Sequence, residues 1–444
     1  MIRRERLRLL VGLVLTLAIV VPLGWMWWGS RLPASYSAMD MGEHDLGDGH
    51  GLRPGVHAGT HAVGARSVSV ADLDTATDRR ADVVVELTAR QGPVRLASGR
   101  TVDGFSFNGT SPGPGIEATV GDLVEVRLHN ESVVDGVALH WHGVDVPNAQ
   151  DGVAGVTQDA VAVGDDHVYR WVAPDAGTYW YHSHQLSHEQ VAKGLFGSIL
   201  IHPERRDRDV RDVVAQTHLY GSVQTLDGAV GDVPVEAVAG ERVRVRLVNT
   251  DNGPQSAWTG APFRVLAVDG VDVTAPPEVR DRLVRIPGGG RMDLAVQVPS
   301  DGAAVRVQLL GGVALVIGPA GSTAAEVARP TDAVDLLGYG EPGSAPFDAS
   351  RADRSFDYAI GRRPGFHDGR PGVWWTVNGR LHPDMPTFVV REGDVVRVRI
   401  SNDSGDVHPM HLHGHNALVL ARDGRGDGQP VVVRLARRAG RRDL

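Results

Sequence analysis

Three short phrases in the chain place two histidines two residues apart: His140-Trp141-His142, His182-Ser183-His184 and His411-Leu412-His413. An imidazole pair at this spacing binds metal well when it sits on a strand, because residues i and i+2 project from the same face. The flanks support strands, with Val137-Ala138-Leu139 before the first pair and Tyr179-Trp180-Tyr181 before the second. The middle residue of each pair then faces the opposite way and is free to pack. A lone pair of this kind is as often hydrogen-bonded or solvent-exposed as it is a metal site, and the first pair alone would also suit a zinc strand. Three pairs in one chain, with His408 three residues before the last, point to a shared metal centre. Imidazole clusters suit copper, zinc, iron or nickel, so donor chemistry leaves the metal open. No carboxylate stands beside the pairs in a metallohydrolase pattern, which disfavours a zinc hydrolase.

The elements that must carry these pairs are strands. Gly121-Asp122-Leu123-Val124-Glu125-Val126-Arg127-Leu128-His129-Asn130 alternates apolar and polar residues after a turn glycine. The pattern returns at Gly240–Asn249 and Gly393–Asn402. Alternation with period two marks a strand with one buried face. The copies lie too far apart for a solenoid and instead suggest three homologous β-sandwich domains. Charged residues from Glu204 to Asp212 and the stretch Glu341-Pro342-Gly343-Ser344-Ala345-Pro346 mark the breaks. The expected organisation is an N-terminal anchor or signal over 1–30, a linker over 31–82, and β-domains over 83–205, 206–340 and 341–444. The second of these contains one histidine, His218, and reads as a structural spacer.

Composition narrows the function further. The 444 residues carry a net charge of −9, 55 glycines, 26 prolines and no cysteine. The negative balance, without a Lys/Arg run long enough to track a phosphate backbone, argues against nucleic acid as a partner. The missing cysteine excludes disulfides, thiolate metal ligands, thiol nucleophiles and lipidated cysteine. Arg3, Arg4, Arg6 and Arg8 precede an uncharged apolar run from Leu9 to Gly29, with Trp25, Trp27 and Trp28 at its far end. That run is long enough to span a bilayer, and the basic flank places the remainder outside the cytoplasm. A long signal peptide cut near Ala34 to Ala38, giving a secreted protein, is the alternative. The linker holds Met39, Met41, His44, His50, His57 and His61, a set that could capture copper, although a plain flexible tether is the favoured reading.

The phrases His140-Trp141-His142-Gly143 and Tyr181-His182-Ser183-His184, with the run His408-Pro409-Met410-His411-Leu412-His413-Gly414-His415, resemble the first three of the four copper motifs of multicopper oxidases. The resemblance covers about Val83 to Gln429 and implies three cupredoxin-like Greek-key sandwiches. It also implies roles. His140 and His411 match the type 2 copper ligands. His142, His182, His184 and His413 match four of the six type 3 ligands, and His408 matches one histidine of the type 1, blue copper. Asp151 resembles the acid that assists proton delivery, although an ordinary turn aspartate would look the same. His188 and His415 match no ligand position. The implied activity couples one-electron oxidation of phenols, aromatic amines or metal ions to reduction of dioxygen to water.

The fourth motif of that family, which carries the blue-copper cysteine, is absent after His415. The segment from Val431 onward is instead crowded with arginines at 434, 437, 438, 441 and 442. Codons for Arg434 to Leu444 exist that, read one base on, spell Asp-Ser-Leu-Asp-Val-Pro-Gly-Gly-Glu-Thr. This resembles the chain's own Ile286-Pro287-Gly288-Gly289 and suggests a frameshift near Val433 that removed the motif. The expectation is a third domain that is truncated and poorly stable, and an oxidase impaired by loss of its type 1 site. Two alternatives stand beside it: a copper-binding cupredoxin protein without oxidase activity, and a structural cupredoxin-repeat protein. The reducing substrate and the oligomeric state are not encoded in any recognisable motif.

Overall fold

The computed structural model describes residues 2–33, 42–47, 68–75, 78–342, 347–348, 350–422, 425–426 and 432–434. Met39, Met41, His50, His57 and His61 of the linker, and the arginines at 437, 438, 441 and 442, lie outside the described residues. The chain is all-β apart from the N-terminal helix and a few short turns of helix. It divides into two compact units. One comprises residues 65–344 together with Pro409–Asn416; the other comprises 1–64, 345–408 and 417–444.

The larger unit holds two β-sandwiches. In the first, one sheet orders its strands Thr101–Phe107, Val83–Arg95, Leu123–Asn130 and Asp166–Val172. The facing sheet runs Ile116–Thr119, Phe196–His202, Gly177–Ser183 and Leu139–His142. Parallel pairing of Val83–Ala89 with Val124–Asn130, and of Ile116–Thr119 with Ile199–His202, gives the crossed connectivity of a Greek key. The core between the sheets is built from Leu87, Phe107, Val126, Leu128, Trp141, Tyr169, Trp171 and Tyr181. Glu125 departs from simple alternation: it is buried and bonded to Arg127 and Arg170 rather than facing water.

The second sandwich packs a six-stranded sheet against a five-stranded one around Val245, Leu247, Val265, Leu294 and Ile317. A buried ion network joins it to the first. Asp293, 1% exposed, accepts from Thr178 Oγ1 at 2.8 Å, Arg244 Nε at 2.8 Å and Arg246 Nη1 at 2.7 Å. Thr178 belongs to the strand that carries His182, so this network anchors one metal-candidate strand to the neighbouring sandwich.

The smaller unit contains a five-stranded sheet ordered Arg370–Val377, Arg354–His367, Val395–Asn402, Val432–Arg434 and Ala417–Leu418. The repeated phrase ending at Asn402 forms a strand here, as its two counterparts do in the larger unit. Phe356, Ile360, Leu381 and Val396 are the buried apolar side chains among its described residues. That core is thin beside those of the other two sandwiches. The helix Ile2–Gly29 includes a 25-residue stretch, Glu5–Gly29, apolar enough to cross a membrane and buried nowhere in the protein. Its C-terminal end is tied to the Asp368-Gly369 turn: Trp27 Nε1 donates to the Gly369 carbonyl at 3.0 Å, and Asp368 N donates to the Ser30 carbonyl at 2.8 Å.

Candidate metal centre

The strands Leu139–His142 and Gly177–Ser183 pair antiparallel, with His140 opposite His182 and His142 opposite Trp180. Directly opposed side chains on one sheet face lie about 5 Å apart, so register alone brings two histidine pairs together. Trp141 points the other way into the core, stacked edge-on against Tyr169 and bonded through Nε1 to the Gln150 carbonyl at 2.7 Å. The third pair arrives on Pro409–Asn416, which packs within the same unit. This segment is an extended loop and turn rather than a strand.

Six imidazoles converge. His140 Nε2 lies 3.1 Å from His411 Nε2, and His142 Nδ1 lies 3.5 Å from His182 Nε2. The His411 ring stacks on His142 at 3.7 Å between centroids, and His413 stacks on His140 at 3.8 Å. The His184 ring lies 5.0 Å from that of His413 and 5.5 Å from that of His140. Nitrogens of His140, His142 and His411 form one group close enough to share a metal ion, and His140, Asp151 and His413 form another.

Desolvation disfavours charging of five of these rings. Burial, reinforced by neighbouring imidazoles, pushes His142 and His182 well below the ordinary histidine value. His184 falls to about 4 and His411 to about 2, first because their rings are desolvated and then because His140 is close. The His411 residue still exposes surface, while its ring is packed between neighbours. His140 is also lowered by burial, partly offset by Asp151. Neutral imidazoles hold their lone pairs ready for a metal, and charging them together would cost mutual repulsion.

Asp151 sits on the turn after Asn148-Ala149-Gln150. Its Oδ2 accepts from His413 Nδ1 at 2.7 Å. Oδ1 lies 3.0 Å from His140 Nδ1, whose hydrogen bond goes instead to the Asp151 backbone carbonyl at 3.1 Å. Oδ1 is thus a buried acceptor without a hydrogen bond. The two histidine contacts hold the Asp151 carboxyl below the usual carboxylate range although burial opposes them. With Nδ1 of both rings facing Asp151, the Nε2 atoms are the free donors. Gly152 makes the turn possible: at φ +68° its α-carbon abuts the Leu139 carbonyl, where a β-carbon would lie 1.6 Å away.

His408 belongs to the smaller unit. Its Nε2 is 2.9 Å from Ser404 Oγ, and its ring meets Trp375 edge-on at 4.7 Å. His188 is exposed on the short helix Ser187–Ala192, and exposed His415 donates from Nδ1 to the His413 carbonyl at 2.9 Å. The cluster also contains residues that motif reading passes over. Arg291, Gly289 and Trp180 surround His142, and the first two come from the sandwich expected to be a mere spacer. No local sequence signal singles out Gly289 or Arg291, because their place beside His142 comes from packing between the two sandwiches.

The donor set fits copper held by histidine: six converging imidazoles, three of them buried, beside a carboxylate oxygen without a hydrogen bond. It does not fit a blue copper. That centre needs a thiolate, and the chain has no cysteine to pair with His408.

Comparison with known proteins agrees with this geometry. Two family profiles, each described as multicopper oxidase, match residues 88–206 and 356–443. The multicopper oxidase MmcO of Mycobacterium tuberculosis is 27% identical across 82% of this chain and 82% of its own length. Laccase-1 of Botryotinia fuckeliana is 34% identical, but over 41% of this chain and 38% of its own. Among solved structures, a multi-copper oxidase from Pseudomonas thermotolerans shares the fold at a TM-score of 0.61 with 24% identity, covering 79% of this chain and 92% of its own. A laccase from Botrytis aclada does so at 0.59 with 22% identity, covering 79% and 78%. Two matching profiles, a relative aligned over most of both chains and a histidine-lined copper-type cluster on cupredoxin-like sheets together show that the chain belongs to the multicopper oxidase family of copper-dependent, oxygen-using oxidoreductases.

Proposed function

We propose that the histidine cluster is the dioxygen-reducing copper centre of an oxidase whose reducing substrate is a phenol, an aromatic amine or a metal ion. The observation that carries this is the convergence of six imidazoles from three separate segments, with the Nε2 atoms of His140 and His411 only 3.1 Å apart. His140 and His411 would serve the type 2 copper, and His142, His182, His184 and His413 the type 3 pair. On this reading the three cupredoxin domains run over 83–205, 206–340 and 341–444. Copper, when bound there, supplies the redox chemistry that turns dioxygen to water. The protein's own contribution is orientation. Asp151 fixes the Nδ1 protons of His140 and His413, and the opposed strands fix His140 against His182. Burial disfavours the charged form of His140, His142 and His182. Asp151, which stays ionised beside His140 and His413, would act on protons at the cluster by holding those on the two Nδ1 atoms.

The apolar helix supports a membrane-anchored protein with its sandwiches outside the cytoplasm, and a cleaved leader would give the secreted form. One observation favours a second reading, in which copper binds without turnover: this chain has no thiolate to complete the type 1 site at His408. Electrons from a substrate then lack their usual entry point, and activity is impaired. The experiment is to load the detergent-solubilised chain with copper, count the metal, and follow oxygen uptake with a phenol, an aromatic amine and ferrous ion. Stoichiometric copper with little uptake supports the impaired oxidase. Copper binding that survives His140→Ala combined with His411→Ala sinks the site assignment.

A further inference from the structure

The second sandwich reaches the metal centre through one turn. Between the strands Val284–Ile286 and Arg291–Gln297 the chain runs Pro287-Gly288-Gly289-Gly290. Gly289 has φ +74° and lies flat against the outer edge of His142: a β-carbon there would be 2.9 Å from Cε1 and 3.3 Å from Nε2 of that ring. Because Nδ1 of His142 faces His182, the edge touched by Gly289 is the one pointing away from the cluster.

The turn is itself held firmly. Gly289 N donates to the Asn249 carbonyl at 2.8 Å, and the Gly289 carbonyl accepts from Trp180 Nε1 at 3.2 Å and Arg291 Nη1 at 3.1 Å. Arg291, 5% exposed, spends its remaining donors on the Thr178 carbonyl at 3.3 Å and the Asp269 carbonyl at 3.0 Å. It also fills the space left by Gly143, where a β-carbon would fall 2.2 Å from Nη2. A buried guanidinium is retained where its rigid fork fixes several acceptors at once.

We propose that the Pro287–Arg291 turn is a positioning element of the copper centre: Gly289 is the wall that sets the ring plane of His142, and Arg291 locks that wall to the strand carrying His182. The second sandwich is therefore part of the site's framework and not only a spacer. This rests on the reading of His142 as a copper ligand. No rearrangement of His142 is free here, since Trp180 and His411 already occupy its two faces at 4.9 and 3.7 Å between ring centroids.

Gly289→Ala tests it in the full-length protein, with Gly321→Ala as the matched control. Gly321 has φ +75° and open space around its α-carbon, so it reports the backbone cost of alanine alone. Copper affinity is measured by chelator competition, and the metal-free melting temperature of each variant is measured beside it. The expected result is copper bound at least tenfold more weakly in Gly289→Ala, the scale for residues that orient a ligand, with Gly321→Ala at the wild-type value. Equal affinity in Gly289→Ala and wild type, or an equal loss in the control, overturns the proposal. His142→Ala separates the two layers: if it binds copper normally, the ligand reading itself is wrong, whereas loss in His142→Ala without loss in Gly289→Ala refutes only the turn's role. Should Gly289→Ala not fold, Arg291→Lys replaces it; weaker binding is expected there, and wild-type affinity refutes the proposal.

Discussion

Replacing Asp151 separates orientation of the histidines from mere presence of a nearby charge. In Asp151→Ala, His140 Nδ1 keeps its backbone acceptor, the carbonyl of residue 151 at 3.1 Å. His413 Nδ1 loses its carboxylate partner at 2.7 Å. The loss therefore falls on one ring, and its size is that of one hydrogen bond to a charged group, about 1.5–3 kcal/mol. At about 1.4 kcal/mol per tenfold, that is roughly a 10- to 100-fold weaker copper affinity. Asp151→Asn can turn its amide oxygen toward His413 and keep a neutral bond about half as strong, so its loss should be several-fold only. Gly152 and its close approach to Leu139 are untouched in both variants. The assay is chelator competition for copper on detergent-solubilised protein near neutral pH, with metal-free melting as the control for folding. Binding within twofold of wild type in Asp151→Ala would refute the clamp. Asparagine as damaging as alanine would show that charge, and not ring orientation, is what Asp151 contributes.

Three further outcomes follow from the structure. Burial pushes the Asp227 carboxyl up to about 6, above its unfolded value, so the folded chain retains a proton that the unfolded chain releases. Stability from this group is complete below about pH 4 and declines as pH rises to about 6, a loss of about 3 kcal/mol at most. Asp227→Asn keeps the bond from Gln216 N and should melt several degrees higher than wild type at pH 8 but not at pH 4; a pH-independent difference would contradict this. Asp293→Ala removes the acceptor shared by Thr178, Arg244 and Arg246 but leaves Arg246 its ion pair with Asp212, and should cost about 1–3 kcal/mol in denaturant unfolding of the larger unit, whereas no measurable cost would show the network to be idle. Copper-loaded protein should lack the intense blue thiolate absorption while retaining copper, and the appearance of that band would refute the account of His408.

The parts of the site legible in the sequence were those set by local rules. Alternation in the phrase ending at Asn130 foretold its strand, and the His-x-His spacing foretold that His140 and His142 would share a face with Trp141 behind them. What stayed hidden depends on contacts remote in the chain. Nothing local announces that His140 will stand opposite His182, because register is set by the whole sandwich. Nothing local makes Gly289 differ from Gly321; only the presence of His142 beside one of them does so. Periodicity also misplaced Glu125, whose burial is made tolerable by Arg127 and Arg170, one of them on another strand. The helix at the N-terminus was readable from composition alone, but its attachment to Asp368 and Gly369 was not.

The distribution of support around the cluster bears on what the missing thiolate means. His140, His142 and His182 stand on paired strands, backed by the core residues Trp141 and Tyr181 and by the second sandwich through Gly289 and Arg291. All of these supporting residues belong to the larger unit, whereas His408 belongs to the smaller one. A cluster whose ligand orientation comes from one well-packed unit should bind copper whether or not an electron can reach it. On the proposed function, binding and turnover would be separable, the first resting on the larger unit and the second on a blue-copper site for which the sequence supplies no thiolate. Conditions that melt the smaller unit first should therefore leave copper at the histidine cluster largely in place, provided that Pro409–Asn416 stays docked. Release of copper at the earlier transition would show instead that His411 and His413 depend on the sheet that precedes them.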